Sequence, residues 1–170
     1  MALAKKRRVF EEGHRRKFLV VVDETPEVEA ALFFAASRIA HSGGSLVLLY
    51  VIEPQDFQHW VGVRDIQIEE ETNKARALFR LFKRKLSGEA FDQIVVEDVI
   101  REGGKADEIV KLIEDDEDVA ILILGASTDP KQGPGPLVSS LATGGQAGAF
   151  PIPITIVPGS LSIEDLKSLA

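Results

Sequence analysis

The chain contains no cysteine among its 170 residues. This absence excludes disulfides, thiolate nucleophiles, Fe–S clusters and cysteine-ligated zinc sites, and it is consistent with a reducing cytoplasm. Histidine is also scarce: His14, His41 and His59 have no spacing that would join them in one metal site, so no metal ligand is predicted. The sequence also lacks the G-x-S-x-G elbow of a Ser-His-Asp hydrolase.

Long hydrophobic runs are missing as well. The longest strongly apolar runs are Phe18–Val22, Leu46–Ile52 and Val119–Leu124, whereas a helix that spans a bilayer needs about 20 apolar residues. The first residues are basic and have no apolar stretch ahead of a cleavage site, as a secretory signal would require. We therefore expect a cytoplasmic protein with no membrane partner.

Charge is unevenly distributed along the chain, whose net charge is -7. Residues 1–17 hold seven Lys/Arg and two Glu, and the remainder holds 13 Lys/Arg and 25 Asp/Glu. One short basic segment on an acidic body is a weak electrostatic footprint for nucleic acid. We interpret residues 1–16 as a flexible, solvated basic arm, with a nucleic-acid arm as the less favoured alternative, and predict no specific nucleic-acid partner.

Apolar runs rich in β-branched residues predict five strands. The length and the 45% hydrophobic content fit one core and one domain. Four of the runs are bounded by glycine, proline or charged residues, and the fifth lies between prolines. The predicted strands are Lys17–Asp23, Ser45–Ile52, Phe91–Arg101, Val119–Leu124 and Ile154–Val157.

Helical periodicity fills the segments between the strands. Thr25 is the predicted N-cap of the first helix, with Pro26 at its first position and Gly43 as its stop. The other predicted helices are residues 66–86, a short helix around residues 106–113, residues 136–149 and a tail helix opened by Ser162. Strict alternation of strands and helices predicts a doubly wound parallel α/β fold.

In such sheets, ligands bind outside the carboxyl ends of the strands. Asp23 ends the first strand and has two interpretations: a carboxylate that contacts a ligand, or a group that helps to cap the first helix. The Gly/Pro/Ser-rich segment Gly125–Ser140 leads from the fourth strand into a helix. It is interpreted either as an anion site or as a solvent loop.

Phe57, His59 and Trp60 follow the second strand in a stretch without clear periodicity. We interpret them as a local hydrophobic cap rather than a base-stacking platform. They are also a candidate protein contact.

Several segments together resemble the universal stress proteins of the UspA type. These segments are KFLVVVDETPEVEAALFFAASRIA, GGSLVLLYVIEP, VAILILGAST with its glycine-rich loop, and PIPITIVPG, in that order along residues 17–159. The resemblance leaves outside it the arm of residues 1–16 and a short tail helix in residues 160–170.

The resemblance implies a five-stranded sheet in the order 3-2-1-4-5. It also implies a cytoplasmic homodimer that pairs through the fifth strand, Ile154, Thr155, Ile156 and Val157. A tail helix folded over that strand by Leu166 and Leu169 is the alternative. The family has one subclass that binds ATP or AMP and one that does not.

In the nucleotide-binding subclass, an Asp ends strand one and a backbone site ends strand two, and these positions match Asp23 and Val51. The first glycine of the family's phosphate pattern G-x-x-G-x9-G-[ST] matches Gly125. Thr128 and Val138 occupy the places of the second and third glycines. The remaining candidates for the nucleotide site are Gly133, Gly135, Ser139 and Ser140.

A Cβ at Thr128 and at Val138 argues against a tight triphosphate site, since the backbone should approach phosphate there. Three hypotheses follow. The first is a stress-response regulator that binds ATP or AMP without robust catalysis. The second is a dimeric interaction or signalling protein without nucleotide. The third is a phosphate-transferring enzyme, for which the sequence supplies no base or metal site.

Overall fold

The computed structural model describes residues 5–54, 61–142 and 147–170. Its centre is a five-stranded, all-parallel sheet in the order β3-β2-β1-β4-β5, as expected. The elements are β1 (Lys17–Val21), α1 (Val28–Ser42), β2 (Ser45–Ile52), α2 (Val61–Gly88), β3 (Val96–Glu102), α3 (Lys105–Asp115), β4 (Val119–Ala126), β5 (Ile154–Pro158) and α4 (Ile163–Leu169).

Side-chain alternation along the strands divides the core into two layers. Phe18 and Val20 of β1 face α1, α2 and α4, whereas Leu19 and Val21 face α3 on the opposite side of the sheet. Every residue of β2 is buried, because helices cover both faces of this strand. This layering is the predicted doubly wound α/β fold.

Several helices and strands begin or end at residues other than those predicted from the sequence. The first helix begins at Val28 with Glu27 as its N-cap, so the predicted cap at Thr25 is wrong. The third strand begins at Val96 because residues 91–94 form a turn, closed by a 3.3 Å bond from the Ile94 N–H to the Phe91 carbonyl. The fourth strand continues through Gly125 and Ala126.

The helix predicted for residues 136–149 is not continuous in the part of the chain that the structure describes. A π-helical turn, Val138–Ala142, and a 3-10 turn, Ala147–Ala149, take its place. Two glycines and two prolines in residues 133–136 delay helix formation and leave only short helical pieces. This segment therefore approaches the sheet as a loop.

The tail helix α4 packs on the face of the sheet, against α1. Ser162 caps it, as predicted, with a capping box that includes Asp165. Leu166 is buried in the layer that contains α1, whereas Leu169 is 63% exposed. The alternative in which Leu166 and Leu169 fold over the edge of β5 is therefore not the observed packing.

The basic segment before β1 contacts the turn between α3 and β4. One terminal nitrogen of Arg7 donates to the carbonyls of Ile113, Asp116 and Val119 at 2.7, 2.9 and 3.2 Å. His14 lies 2.7 Å from the carboxylate of Asp118. A solvated arm was expected, but the acidic turn 116–118 and the carbonyls at and just after the end of α3 attract this segment.

Within residues 5–54, 61–142 and 147–170, no helix combines the length and the apolar character needed to cross a bilayer.

Candidate functional site

Asp23 lies at the carboxyl end of β1, where the sheet order reverses. Its Oδ1 accepts the backbone N–H of Thr25 at 2.8 Å and the Thr25 hydroxyl at 2.5 Å. These bonds fold the chain into an Asx turn ahead of α1 rather than capping the helix itself. The sheet thus positions a half-buried carboxylate at the switch point, and Thr25 holds its orientation.

Gly125 is required by packing between two elements. A Cβ at this position would lie 2.0 Å from the carbonyl oxygen of Glu27, at the start of α1. Gly159 is constrained in the same region, since its Cβ would lie 2.4 Å from the Ala126 carbonyl oxygen. Gly125 matches the first glycine of the family's phosphate loop. In this structure, close packing against the backbone at the start of α1 accounts for the glycine.

The loop after β4 directs many of its hydrogen bonds to itself. The Ser127 N–H donates to the Pro134 carbonyl, the Asp129 N–H to the Ser127 hydroxyl, and the Lys131 N–H to Asp129 Oδ1. Prolines 130, 134 and 136 have no N–H to offer. The N–H groups of Ser127, Asp129 and Lys131 are therefore not available in this conformation to cradle a phosphate.

The two loop glycines have different environments. Gly133, at φ 59°, is exposed, with open space around its Cα. Gly135, at φ 103°, is buried, and a Cβ there would lie 3.7 Å from Glu27 Oε1. Both use the positive φ that glycine tolerates, and Gly135 brings the loop back over the end of β1.

A cavity of about 40 Å³ lies between Asp23 and the returning loop. Glu27 and Lys105 also line it, and Lys105 Nζ lies 3.7 Å from Glu53 Oε1. Neither Glu27 nor Lys105 was singled out from the sequence. Lys105 begins α3 directly after β3, the edge strand, so the switch-point rule does not single it out.

Three sequence-predicted residues meet at this cavity, and the others lie apart from it. Asp23, Gly125 and Gly135 line the cavity. Thr128 borders an adjacent cavity of about 200 Å³, and Val51 is buried at the end of β2 with only 6% exposure.

The two serines of the expected phosphate end lie on the π-helical turn. The Ser139 N–H donates to the Gly135 carbonyl at 3.0 Å. Ser140 lines a separate groove of about 620 Å³ beside α3. Val138, at the place of the third motif glycine, is 3% exposed and belongs to the core layer of α3. The Val138 side chain is therefore part of the core, and it stands where a glycine would let the backbone approach phosphate.

A buried phenol on β2 lies near the carboxylates of Glu71, Glu24 and Asp23. The Tyr50 hydroxyl on β2 donates to Glu71 Oε2 on α2 at 2.5 Å. Burial raises the pKa of Tyr50 well above its usual value, and the neighbouring carboxylates of Glu71, Glu24 and Asp23 raise it further. Tyr50 is thus a hydrogen-bond donor at neutral pH, with no tendency to ionise.

No group of three His, Asp or Glu side chains in the described part of the chain is placed to hold a metal ion. Phe57, His59 and Trp60, interpreted as a hydrophobic cap and a candidate protein contact, lie outside the described residues.

Comparisons with known proteins agree with the fold. The sequence model of the universal stress protein family matches residues 14–143. A search of curated proteins found no significant match. Among solved structures, the universal stress protein UspA of Lactobacillus plantarum superposes with a TM-score of 0.68 at 17% identity, over 84% of this chain and 97% of that one.

Two similar structures contain nucleotides. A universal stress protein in complex with cAMP has a TM-score of 0.56 and 18% identity, over 85% of this chain and 98% of that one. A universal stress protein family protein of Arabidopsis thaliana with AMP bound has a TM-score of 0.53 and 15% identity, over 85% and 92% of the two chains. At these identities the likeness establishes the shared fold. Because the family's sequence model matches most of this chain, residues 14–143, the chain belongs to the universal stress protein family.

Proposed function

We propose that this protein is a stress-response regulator that binds an adenine nucleotide with one phosphate, of the AMP or cAMP class, in preference to ATP. The observation that carries the proposal is the contrast within the site: Asp23 is held at the switch point by Thr25, whereas several N–H groups of the loop beyond Gly125 are bonded within the loop. The chain thus keeps the carboxylate that would contact a nucleoside, whereas its loop is poorly suited to bind a polyphosphate.

Nucleotides bound in two structural relatives support the ligand class. The ribose and base would contact Asp23 and the backbone at Val51, with Lys105 as the nearby cation. A cavity of about 40 Å³ is far below the 300 to 1,000 Å³ of typical ligand sites. Binding must therefore move the Pro134–Leu137 segment, and this cost lowers the apparent affinity.

Calorimetric titration of the full chain with AMP, cAMP and ATP tests the proposal. AMP or cAMP should bind more tightly than ATP, and Asp23→Asn should weaken binding about tenfold by removing the charged acceptor. Lys131→Ala, an exposed change in the loop, is the matched control and should leave AMP affinity unchanged. Tighter binding of ATP than of AMP would contradict the proposal.

A second candidate function is an interaction protein that binds no nucleotide. The closed loop favours it, because residues 127–135 are already held by their own turns and Val138 is part of the core. Absence of binding heat for all three nucleotides, at concentrations that detect millimolar affinity, would select this candidate.

Bound nucleotide should not be turned over at enzyme-like rates. Phosphoryl transfer requires cations around the transferring group and an oriented nucleophile, and Lys131 is the only basic residue in the segment Gly125–Ser140. We therefore propose a binding role rather than a catalytic one. Phosphate release at several turnovers per second that Asp23→Asn abolishes would refute this role.

The edge strand β5 supports a homodimer as part of the proposal. Ile156 is 42% exposed on this outermost strand, and an apolar edge with free backbone groups is normally paired or covered. Prolines 151, 153 and 158 frame the strand and limit pairing to a few residues, which favours a closed two-fold contact.

A further inference from the structure

The outer face of α2 carries charges of two signs in two separate blocks. Asp65 and Glu69 form the acidic block, and Arg76, Arg80 and Arg84 form the basic block nearer the end of the helix; all five residues are exposed. At 100° per residue, these positions fall within about 100° of arc on one side of the helix. We call this set the α2 outer face.

Several other charges of α2 are paired within the chain, among them Lys83, which lies on the same side of the helix as Asp65. Arg64 contacts Glu102 at 2.5 Å, and Lys83 contacts Asp98 at 2.5 Å, both toward β3. Elsewhere on the helix, Lys74 contacts Glu24, and Lys85 contacts Glu29. The five side chains of the outer face, in contrast, form no ion pair with any described residue.

The block arrangement does not stabilise the isolated helix. Arg76, Arg80 and Arg84 repeat at i, i+4, and Asp65 and Glu69 do the same, so each block places like charges side by side. The helix dipole favours acids at the start and bases at the end, but its effect is confined to the first and last turns. Glu69, Arg76 and Arg80 lie well inside a helix of 28 residues.

The same arrangement is complementary to itself when reversed. The midpoint between Glu69 and Arg80 falls between positions 74 and 75, and so does the midpoint between Asp65 and Arg84. Two antiparallel copies of α2 related by a two-fold axis at this point would set Glu69 and Asp65 of each copy against Arg80 and Arg84 of the other, whereas Arg76 would face Asn73. Alignment of their i, i+4 rows requires a crossing angle of about −50°, the commonest class of helix packing.

We propose that a second copy of this chain docks on the α2 outer face in an antiparallel α2–α2 contact. Glu69 pairs with Arg80 near the axis and Asp65 with Arg84 farther out, each pair occurring twice. Ile66, 58% exposed, lies on the same face and adds an apolar contact. The occupant is a second copy rather than another acidic protein because this face carries its own complement in the matching order.

This contact is independent of nucleotide binding and of the β5 edge. Its charges are solvent-exposed, so it should be weak and should weaken further as salt shortens the screening length. Two different two-fold contacts on one protomer would produce assemblies larger than a dimer. Sedimentation equilibrium of the full chain should therefore give an average mass that falls between about 20 mM and about 500 mM NaCl.

Charge reversal provides the decisive test. The variants D65R/E69R and R80E/R84E, both carrying Ile156→Pro to remove β5 pairing, should each self-associate about tenfold more weakly than the Ile156→Pro chain. An equimolar mixture of the two should associate again, because every contact then joins an acid to a base. The matched control K6E/R15E changes two exposed bases away from α2 and should have no effect.

Circular dichroism establishes that each variant is folded, and the mixture supplies a readout that misfolding cannot mimic. Equal self-association of all variants, a mixture no tighter than its components, or a salt-independent mass of the wild-type chain would each overturn the proposal. Capture of an unrelated acidic protein without self-association would overturn it too.

Discussion

At the scale of single residues, Gly125 is a position where packing against α1 accounts for the glycine without a bound ligand. Its Cβ would meet the Glu27 carbonyl oxygen at 2.0 Å, where backbone must give way. Gly125→Ala should lower the free energy of unfolding by about 2 to 3 kcal/mol, an overpacking cost, as measured by urea denaturation. Gly62→Ala is the control: it adds a Cβ in open space on a helix and should not destabilise. Equal stability of Gly125→Ala and wild type would contradict the packing role.

Tyr50 provides a second residue-scale prediction, since it is the only tyrosine in the chain. Its pKa is raised by burial and by the Glu71 carboxylate, so absorbance at 295 nm should titrate well above pH 10 in the folded protein. In urea, the midpoint should return to about 10.

The sign of the resulting pH dependence follows from the direction of this shift. The folded state holds the phenol proton more tightly than the unfolded state, so this contribution is fully present below about pH 10 and is lost as pH rises toward the folded pKa. The fall in stability above pH 10 should be smaller in Tyr50→Phe. A folded-state midpoint near pH 10 would show that the Tyr50–Glu71 contact does not form.

At the scale of elements, the end of α2 contains a residue in an unfavourable conformation. Ala90 has φ 66°; its N–H donates to the Ser87 carbonyl, and the Phe91 N–H donates to the Leu86 carbonyl at 2.9 Å. This is a Schellman motif with alanine at the position that glycine prefers. Ala90→Gly should therefore stabilise the protein by about 0.5 to 1 kcal/mol in thermal or urea unfolding.

Ala77 provides the opposite control on the same helix. It is exposed in the interior of α2, where glycine should cost about 1 kcal/mol. If both substitutions destabilise the protein, the left-handed conformation of Ala90 does not determine the stability of this turn.

The sequence predicted elements well where periodicity and burial agree. Ser45–Ile52 forms β2 with the predicted bounds, because a strand covered on both faces is apolar throughout. Local cap chemistry misled at Thr25, whose hydroxyl bonds to Asp23 instead of to the helix. The docking of Arg7 on the end of α3 depends on carbonyls more than 100 residues away, which no local pattern reveals.

The sequence predicted the candidate site less completely than the fold, because the site also depends on contacts between residues that are distant in the chain. Asp23 and Gly125 follow from strand ends, and the structure brings them together with Gly135. Glu27 and Lys105 join them only through tertiary packing, and Ser140 lies in a different groove because the π-helical turn redirects it. Spacing along the chain therefore identified the switch point but not the shape of the loop above it.

At the scale of the whole molecule, the β5 edge should determine the main oligomer. The Gly159 N–H donates to the Ala126 carbonyl of β4, and N–H directions alternate along a strand, so the Ile156 N–H points away from the sheet. Ile156→Pro removes an outward donor without breaking the β4–β5 ladder, and the fold should survive. Light scattering should give a dimeric or larger mass for the full chain at tens of micromolar, and a lower mass for Ile156→Pro.

Ile156→Ser is the matched control for the same strand. It removes the exposed apolar side chain but keeps the N–H, so it should weaken pairing less than proline does if backbone hydrogen bonds join the two edges. The residual mass of Ile156→Pro is also informative: at low salt it should exceed that of a monomer through the α2 outer face, and high salt should remove the excess. A wild-type chain that is monomeric under both conditions would refute β5 pairing and the α2 contact together.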